Sequence, residues 1–292
     1  TLFRSTEGAV QLMIREVRRQ KRFFFAQTVI VFMAMVALLI VSGLQVLGAT
    51  GLALAVGVII FVAVWTQQQA SAARPANATR LHYPDAPELV RLVQDLARRA
   101  SLAEAPELYV LNAPLLNAAT LGTVKKPLLV VTPMLVRALT YRELAGVIAH
   151  EVTHIRHRDL TFFRIVEVVA MITVVIARVG WVLLLFYLPV AFMTQAHVPF
   201  TVIAVLLAAP AASVLLQLGL SRSREYAADL GAVELTGDPQ GLASALQKID
   251  NIGRSYLHQM LPVPRKRDSS VFRTHPPTDR RVARLQALPE PS

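Results

Sequence analysis

His150 and His154 stand four residues apart, with Glu151 between them. Residues at that spacing share one face of a helix, so both imidazoles can reach a single cation with a carboxylate beside it. The H-E-x-x-H pattern is the arrangement of a zinc peptidase, two ligands and a general base. A catalytic zinc takes three protein ligands and leaves one position for water, so a third donor must come from elsewhere. The chain has no cysteine, which excludes a thiolate ligand, a cysteine nucleophile and disulfides. The donors must be His, Asp or Glu. The longer H-E-x-x-H-x-x-G-x-x-H form is excluded, because His157 and Leu160 occupy the positions that Gly and His would need. His157 is followed by Arg158 and Asp159 and reads as a solvated residue rather than a ligand.

A better third donor lies downstream, in Ser221-Arg222-Ser223-Arg224-Glu225-Tyr226-Ala227-Ala228-Asp229. Glu225 and Asp229 are four apart and share a helix face. In a two-His, one-Glu site, Glu225 would ligate the metal and Asp229 would accept the N–H of a ligand histidine, setting its tautomer. The alternative is a surface helix whose acids pair with Arg222 and Arg224.

The elements that must position these residues are those of a membrane protein. The chain is 54% hydrophobic and 17% charged, against about 25% charged in a soluble domain. Residues 23–73 contain no Asp, Glu, Lys or Arg. One span needs about 20 apolar residues, so this run reads as two spans joined by a tight turn near residues 42–51. It is longer than a signal peptide, and a second apolar stretch follows at once. A further uncharged run lies between Arg178 and Arg222, interrupted by Pro189, Pro199 and Pro210. Four spans are expected, at 24–43, 46–66, 161–185 and 199–220.

The net charge of +11 is distributed for a membrane rather than for nucleic acid. All Lys and Arg except Arg178 fall before Phe23, between residues 66 and 164, or from Arg222 onward. By the positive-inside rule, both termini and the His150 segment share the cytoplasmic side. Because Thr1 is not a natural start residue, a few residues are expected to precede it.

Residues 1–22 read as a basic amphipathic arm, which either lies on anionic headgroups or simply flanks the first span. Residues 23–66 form the first hairpin and 67–160 the first part of the soluble domain. Residues 161–220 form the second hairpin, and 221–292 complete the domain. Glu88–Ala100 reads as a helix after Pro87, and 107–111 and 128–132 as strands. Thr140 is a good N-cap for the motif helix, with Glu143 completing a capping box. If that helix runs straight on at 1.5 Å per residue, its metal lies roughly 10–15 Å above the apolar region. Helices are also expected at 221–235, 242–252 and 279–288. The fold class is a mainly α membrane protein carrying a soluble α+β domain split by the third and fourth spans.

Four segments in order resemble one family. They are Asn117-Ala118-Ala119-Thr120-Leu121-Gly122, the motif His150–His154, the Ser221–Asp229 segment, and Thr274-His275-Pro276-Pro277-Thr278-Asp279-Arg280-Arg281. Together they look like the HtpX-type membrane metalloproteases, in the wider group that includes the CAAX prenyl proteases. Ala119 replaces the usual Phe. The similarity covers nearly the whole chain. It implies a cytoplasmic zincin-like (gluzincin) metallopeptidase domain, with one zinc per chain held by His150, His154 and Glu225. It implies Glu151 as general base and later acid, and Asp229 as support for a ligand histidine. His275 is the expected oxyanion donor, helped by Arg281. The strand at Asn117, Ala118 and Ala119 is expected to pair with an extended substrate backbone, which gives affinity with little side-chain selectivity.

The expected function is an endopeptidase of membrane proteins and unfolded chains at the cytoplasmic face of the inner membrane. An intramembrane site is disfavoured by Arg142, Glu143, Arg156 and Arg158 around the motif, which are costly in lipid. A silent scaffold is disfavoured by the intact Glu151. A CAAX-type processing protease usually has more spans.

Overall fold

A computed structural model describes residues 2–69, 78–122, 126–197, 200–260 and 276–289. They pack as two compact units. One comprises Thr1–Phe25, Gln69–Thr161 and Arg222–Ser292, and the other comprises Ala26–Gln68 and Phe162–Ser221.

In the first unit, a four-stranded sheet has the order β1-β2-β4-β3. The strands are β1 (Ala78–Arg80), β2 (Glu107–Leu111), β3 (Ala118–Gly122) and β4 (Pro127–Val131). β2 and β4 run parallel, while β1–β2 and β3–β4 are antiparallel. β4 is central and buried along its length, Pro-Leu-Leu-Val-Val, as a strand covered on both faces must be. β3 ends the sheet.

The motif helix α4 (Tyr141–Arg156) packs against β3, α2 (Pro87–Arg99) and α7 (Pro239–Met260). Its start is the expected capping box: Thr140 accepts from Glu143 N–H, and Glu143 accepts from Thr140 N–H at 2.9 Å. Ile148 and Val152 of α4 are fully buried with Leu129, Val131, Val233 and Leu242. Gly146 is required by this packing, because a Cβ there would meet Leu242 Cα at 2.9 Å. A short helix, α3 (Pro133–Ala138), and strand β1 were not anticipated. Both are too brief to carry a legible period.

Three expectations about helix continuity are corrected. α4 stops at Arg156; His157 and Arg158 form a turn, with Arg158 at φ 55°, and α5 (Asp159–Thr194) starts afresh. The distance estimated for a straight helix therefore does not apply. α5 runs through Pro189, and α6 (Phe200–Thr236) runs through Pro210 and on to Asp229 without a stop. In an apolar medium a loop would strand many backbone groups, whereas a helix carrying one Pro loses few. Residues 1–25 belong to the first unit. Met13, Val17 and Phe24 of α1 (Leu2–Gln69) enter its core, while Arg15, Arg18, Arg19 and Arg22 stay exposed.

In the second unit, Met35, Leu39, Val169, Ile172 and Leu220 form a core. Ile30, Phe186, Phe192 and Met193 point outward, a surface suited to lipid rather than water. Helix α1 breaks at Gly48, φ 66° and ψ −160°, inside the stretch where a turn was expected. Among the described residues, three helical segments are long and apolar enough to cross a bilayer: Gln11–Gly51, Asp159–Thr194 and Phe200–Thr236. The stretch 46–66, expected as a fourth span, continues as helix beyond Gly48 but is not one of these three.

Helix α7, already placed, and the short α8 (Thr278–Gln286), whose Val282 and Leu285 are buried in the first unit's core, complete the elements relevant to the site.

Candidate metal centre

α4 and α6 bring His150, His154 and Glu225 together, each with a donor atom within 4.8 Å of the others. Nε2 of His150 and Nε2 of His154 are 3.1 Å apart. Glu225 Oε2 is 3.5 Å from the first, and Oε1 is 3.6 Å from the second. A tetrahedral ion with bonds of about 2.05 Å spaces its ligand atoms about 3.3 Å apart. The triangle matches that edge, so the donor set fits a small divalent cation. Close approach of the two helices is again set by a glycine: a Cβ at Gly231 of α6 would meet Thr153 Cγ2 at 2.2 Å.

Each histidine is oriented from behind. Asp229 Oδ1, one turn after Glu225 on α6, lies 3.0 Å from His150 Nδ1. Arg281 on α8 grips Asp229 through Nε and Nη2, at 2.8 and 2.5 Å, and its Nη1 is 3.4 Å from Glu225. Burial pushes the Asp229 pKa up, but the Arg281 guanidinium outweighs it and holds the carboxyl below the usual range. Burial disfavours charge on His150, yet its contacts with Asp229 and Glu225 outweigh that and push its pKa up to about 10. The centre thus attracts positive charge, a proton or a metal cation.

The partner of His154 was missed. Asp159, 2% exposed, lies 2.7 Å from His154 Nδ1 and is itself held by Nε and Nη2 of Arg224, Nε at 2.5 Å. Arg224 therefore serves an acid on α5. His157 is not solvated as expected: burial and the nearby Arg224 lower its pKa to about 4, and its buried Nδ1 has no hydrogen-bond partner among the described residues. It is absent from the donor cluster.

Glu151 is held from the sheet. Thr120 Oγ1 lies 2.9 Å from Glu151 Oε2 and 3.1 Å from the Glu151 carbonyl. Thr120 is buried on β3, and the sequence signal for it was its place between Asn117 and Gly122. Asn117 N donates to Thr132 Oγ1 at 3.1 Å, and its carbonyl accepts from Thr132 N at 3.0 Å. Asn117 thus faces β4. Antiparallel pairing alternates, so Ala119 also serves β4, while Ala118 and Thr120 turn their backbone N–H and C=O to the outer edge. His275 lies outside the described residues.

A model of the family described as Peptidase family M48 matches residues 84–289. The chain belongs to peptidase family M48. Its M48 relatives include the Protease HtpX homolog of Paraburkholderia phytofirmans, 31% identical over 91% of this chain and 97% of that one. The Protease HtpX homolog of Burkholderia multivorans is 32% identical, with the same coverage. The crystal structure of S. mikatae Ste24p shares the fold, with a TM-score of 0.54 at 18% identity, over 94% of this chain and 66% of that one. M48 membership makes the chain a metalloprotease, and the apolar helices mark it as a membrane-type member. The M48 assignment accords with the cluster of His150, His154 and Glu225.

Proposed function

We propose that the chain is an integral-membrane zinc endopeptidase that cleaves misfolded or damaged membrane proteins and unfolded polypeptides at the cytoplasmic face of the inner membrane. The observation that carries this reading is the triangle of His150, His154 and Glu225 donors with the Glu151 carboxylate next to it in sequence. Its size and its all-N/O chemistry suit one zinc per chain. When bound, zinc supplies Lewis-acid polarisation and acidifies a water to a pKa of about 7.

The protein groups do the rest. Glu151, steadied by Thr120, takes the proton of the attacking water and returns it to the leaving amine nitrogen. Asp229 and Asp159 keep His150 and His154 in the tautomers that present Nε2. Arg281 balances the charge of Asp229 and Glu225, and His275 donates to the developing oxyanion. An extended substrate adds to the outer edge of β3 through Ala118 and Thr120, a mode indifferent to most side chains and suited to unfolded chains.

The metallopeptidase domain is interrupted by the second apolar hairpin, and four spans carry the chain. The charge-free stretches 23–73 and 179–221 support this. The near-exclusive placement of Lys and Arg outside those stretches supports cytoplasmic termini and a cytoplasmic site. Glu151→Gln should retain one zinc per chain by elemental analysis while losing cleavage of an unfolded membrane-protein substrate. Chelation should abolish activity, and zinc should restore it. Full peptidase activity in Glu151→Gln would refute the reading.

A further inference from the structure

A cavity of about 510 Å³ opens where β3 begins, between the β2–β3 loop and α3. Asn112, Pro114, Pro133, Met134 and Arg137 line it. Its volume falls within the range of roughly 300–1,000 Å³ typical of ligand pockets. Its α3 wall sits at this end of the sheet because Asn117, just before β3, is bonded to Thr132, the N-cap of α3. From Thr120, which holds Glu151, to Asn117 is three residues, about 10 Å at strand rise.

Its two polar side chains are Asn112 and Arg137. Arg137 is exposed and makes no hydrogen bond or ion pair with any described residue. Its guanidinium presents a planar fork matched to a carboxylate.

We propose that this cavity is a substrate subsite that takes an acidic side chain, Asp or Glu, with Arg137 as its anchor. The residue it takes lies three or four positions from the cleaved bond, since a chain laid along β3 advances at the same rise as the strand. Side chains alternate faces, so one of those two positions is read. This inference rests on the strand-pairing part of the proposed function. It adds a selectivity that backbone pairing alone lacks.

The test uses the full-length, zinc-loaded enzyme in detergent, with a defined peptide library randomised at four positions on each side of one site. Cut products are read by mass spectrometry. The native enzyme should favour Asp and Glu about fivefold, the scale of one exposed ion pair, at a single position three or four residues from the bond. Arg137→Ala should remove that preference, and Arg137→Glu should replace it with one for Lys and Arg. A flat native profile, or an acidic preference that survives both substitutions, overturns the subsite and leaves the peptidase reading standing. Peptides cut with full efficiency after N-methylation of the residues that would pair with β3, with Arg137 variants unaltered, overturn both.

Discussion

Asp159 lies 2.7 Å from Nδ1 of His154 although the two are five residues apart. On an unbroken helix that separation places side chains about 140° apart. The turn at His157 and Arg158, with Arg158 at φ 55°, brings Asp159 back under the second histidine. Asp159→Ala should therefore lower zinc affinity by about 10–100-fold, measured by competition with a chromophoric chelator. Unchanged affinity would assign Asp159 to folding alone.

Thr120 contacts Glu151 rather than the cluster of His150, His154 and Glu225. Thr120→Val keeps the shape and removes the hydroxyl that contacts Glu151. The expected result is a roughly tenfold loss of kcat, on the scale of one hydrogen bond, with zinc content and KM unchanged. A zinc-depleted variant would contradict this division of roles.

Arg284 lies one turn after Arg281 on α8. Its guanidinium sits 4.2 Å from the Tyr226 ring centroid and 5.2 Å from that of Phe24, and the two rings stack at 5.3 Å. This contact fastens the helix that carries Arg281 to the helix that carries Glu225 and Asp229. Arg284→Ala should cost about 1–2 kcal/mol of stability and weaken zinc binding several-fold, with Arg284→Lys recovering part of both. A lowered melting temperature with full zinc affinity would reduce the contact to packing.

Glu143 gives the first unit a pH dependence of defined sign. Burial works against its charge, but Lys248, Ser244 and Thr140 outweigh that and lower its pKa from 4.5 to about 2. A carboxyl depressed on folding stabilises above its unfolded pKa, and the contribution is lost as pH falls through the folded value. Glu143→Gln should thus be less stable than the native chain by roughly 1–2 kcal/mol near neutrality. Thermal melts should show the gap closing between about pH 4.5 and 2. A gap that is constant over this range would contradict the charge assignment.

Several features were legible without coordinates because their signals are local. Spacing of four along a helix placed His150 with His154 and Glu225 with Asp229. Thr140 and Glu143 marked the helix start by a reciprocal bond within four residues. The charge-free stretches marked the apolar helices by length alone. Asp159, Arg224 and Thr120 were not legible in the same way. Asp159 meets His154 across a turn, Arg224 meets Asp159 on another helix, and Thr120 on β3 meets Glu151 31 residues later, and no period or motif encodes such pairings.

By itself, the sequence determined the donor types, the spacing of His150, Glu151 and His154, the lack of cysteine and the long apolar stretches, since each follows from residue identity and short-range geometry. Only the tertiary structure decided which carboxylate backs which histidine, that α4 ends before the apolar helix begins, and which β3 backbone groups remain open. Those depend on a left-handed residue at Arg158, on glycine-permitted helix contacts at Gly146 and Gly231, and on the register of β3 with β4. The glycine contacts, Gly146 with Leu242 and Gly231 with Thr153, join segments distant in sequence and close in space.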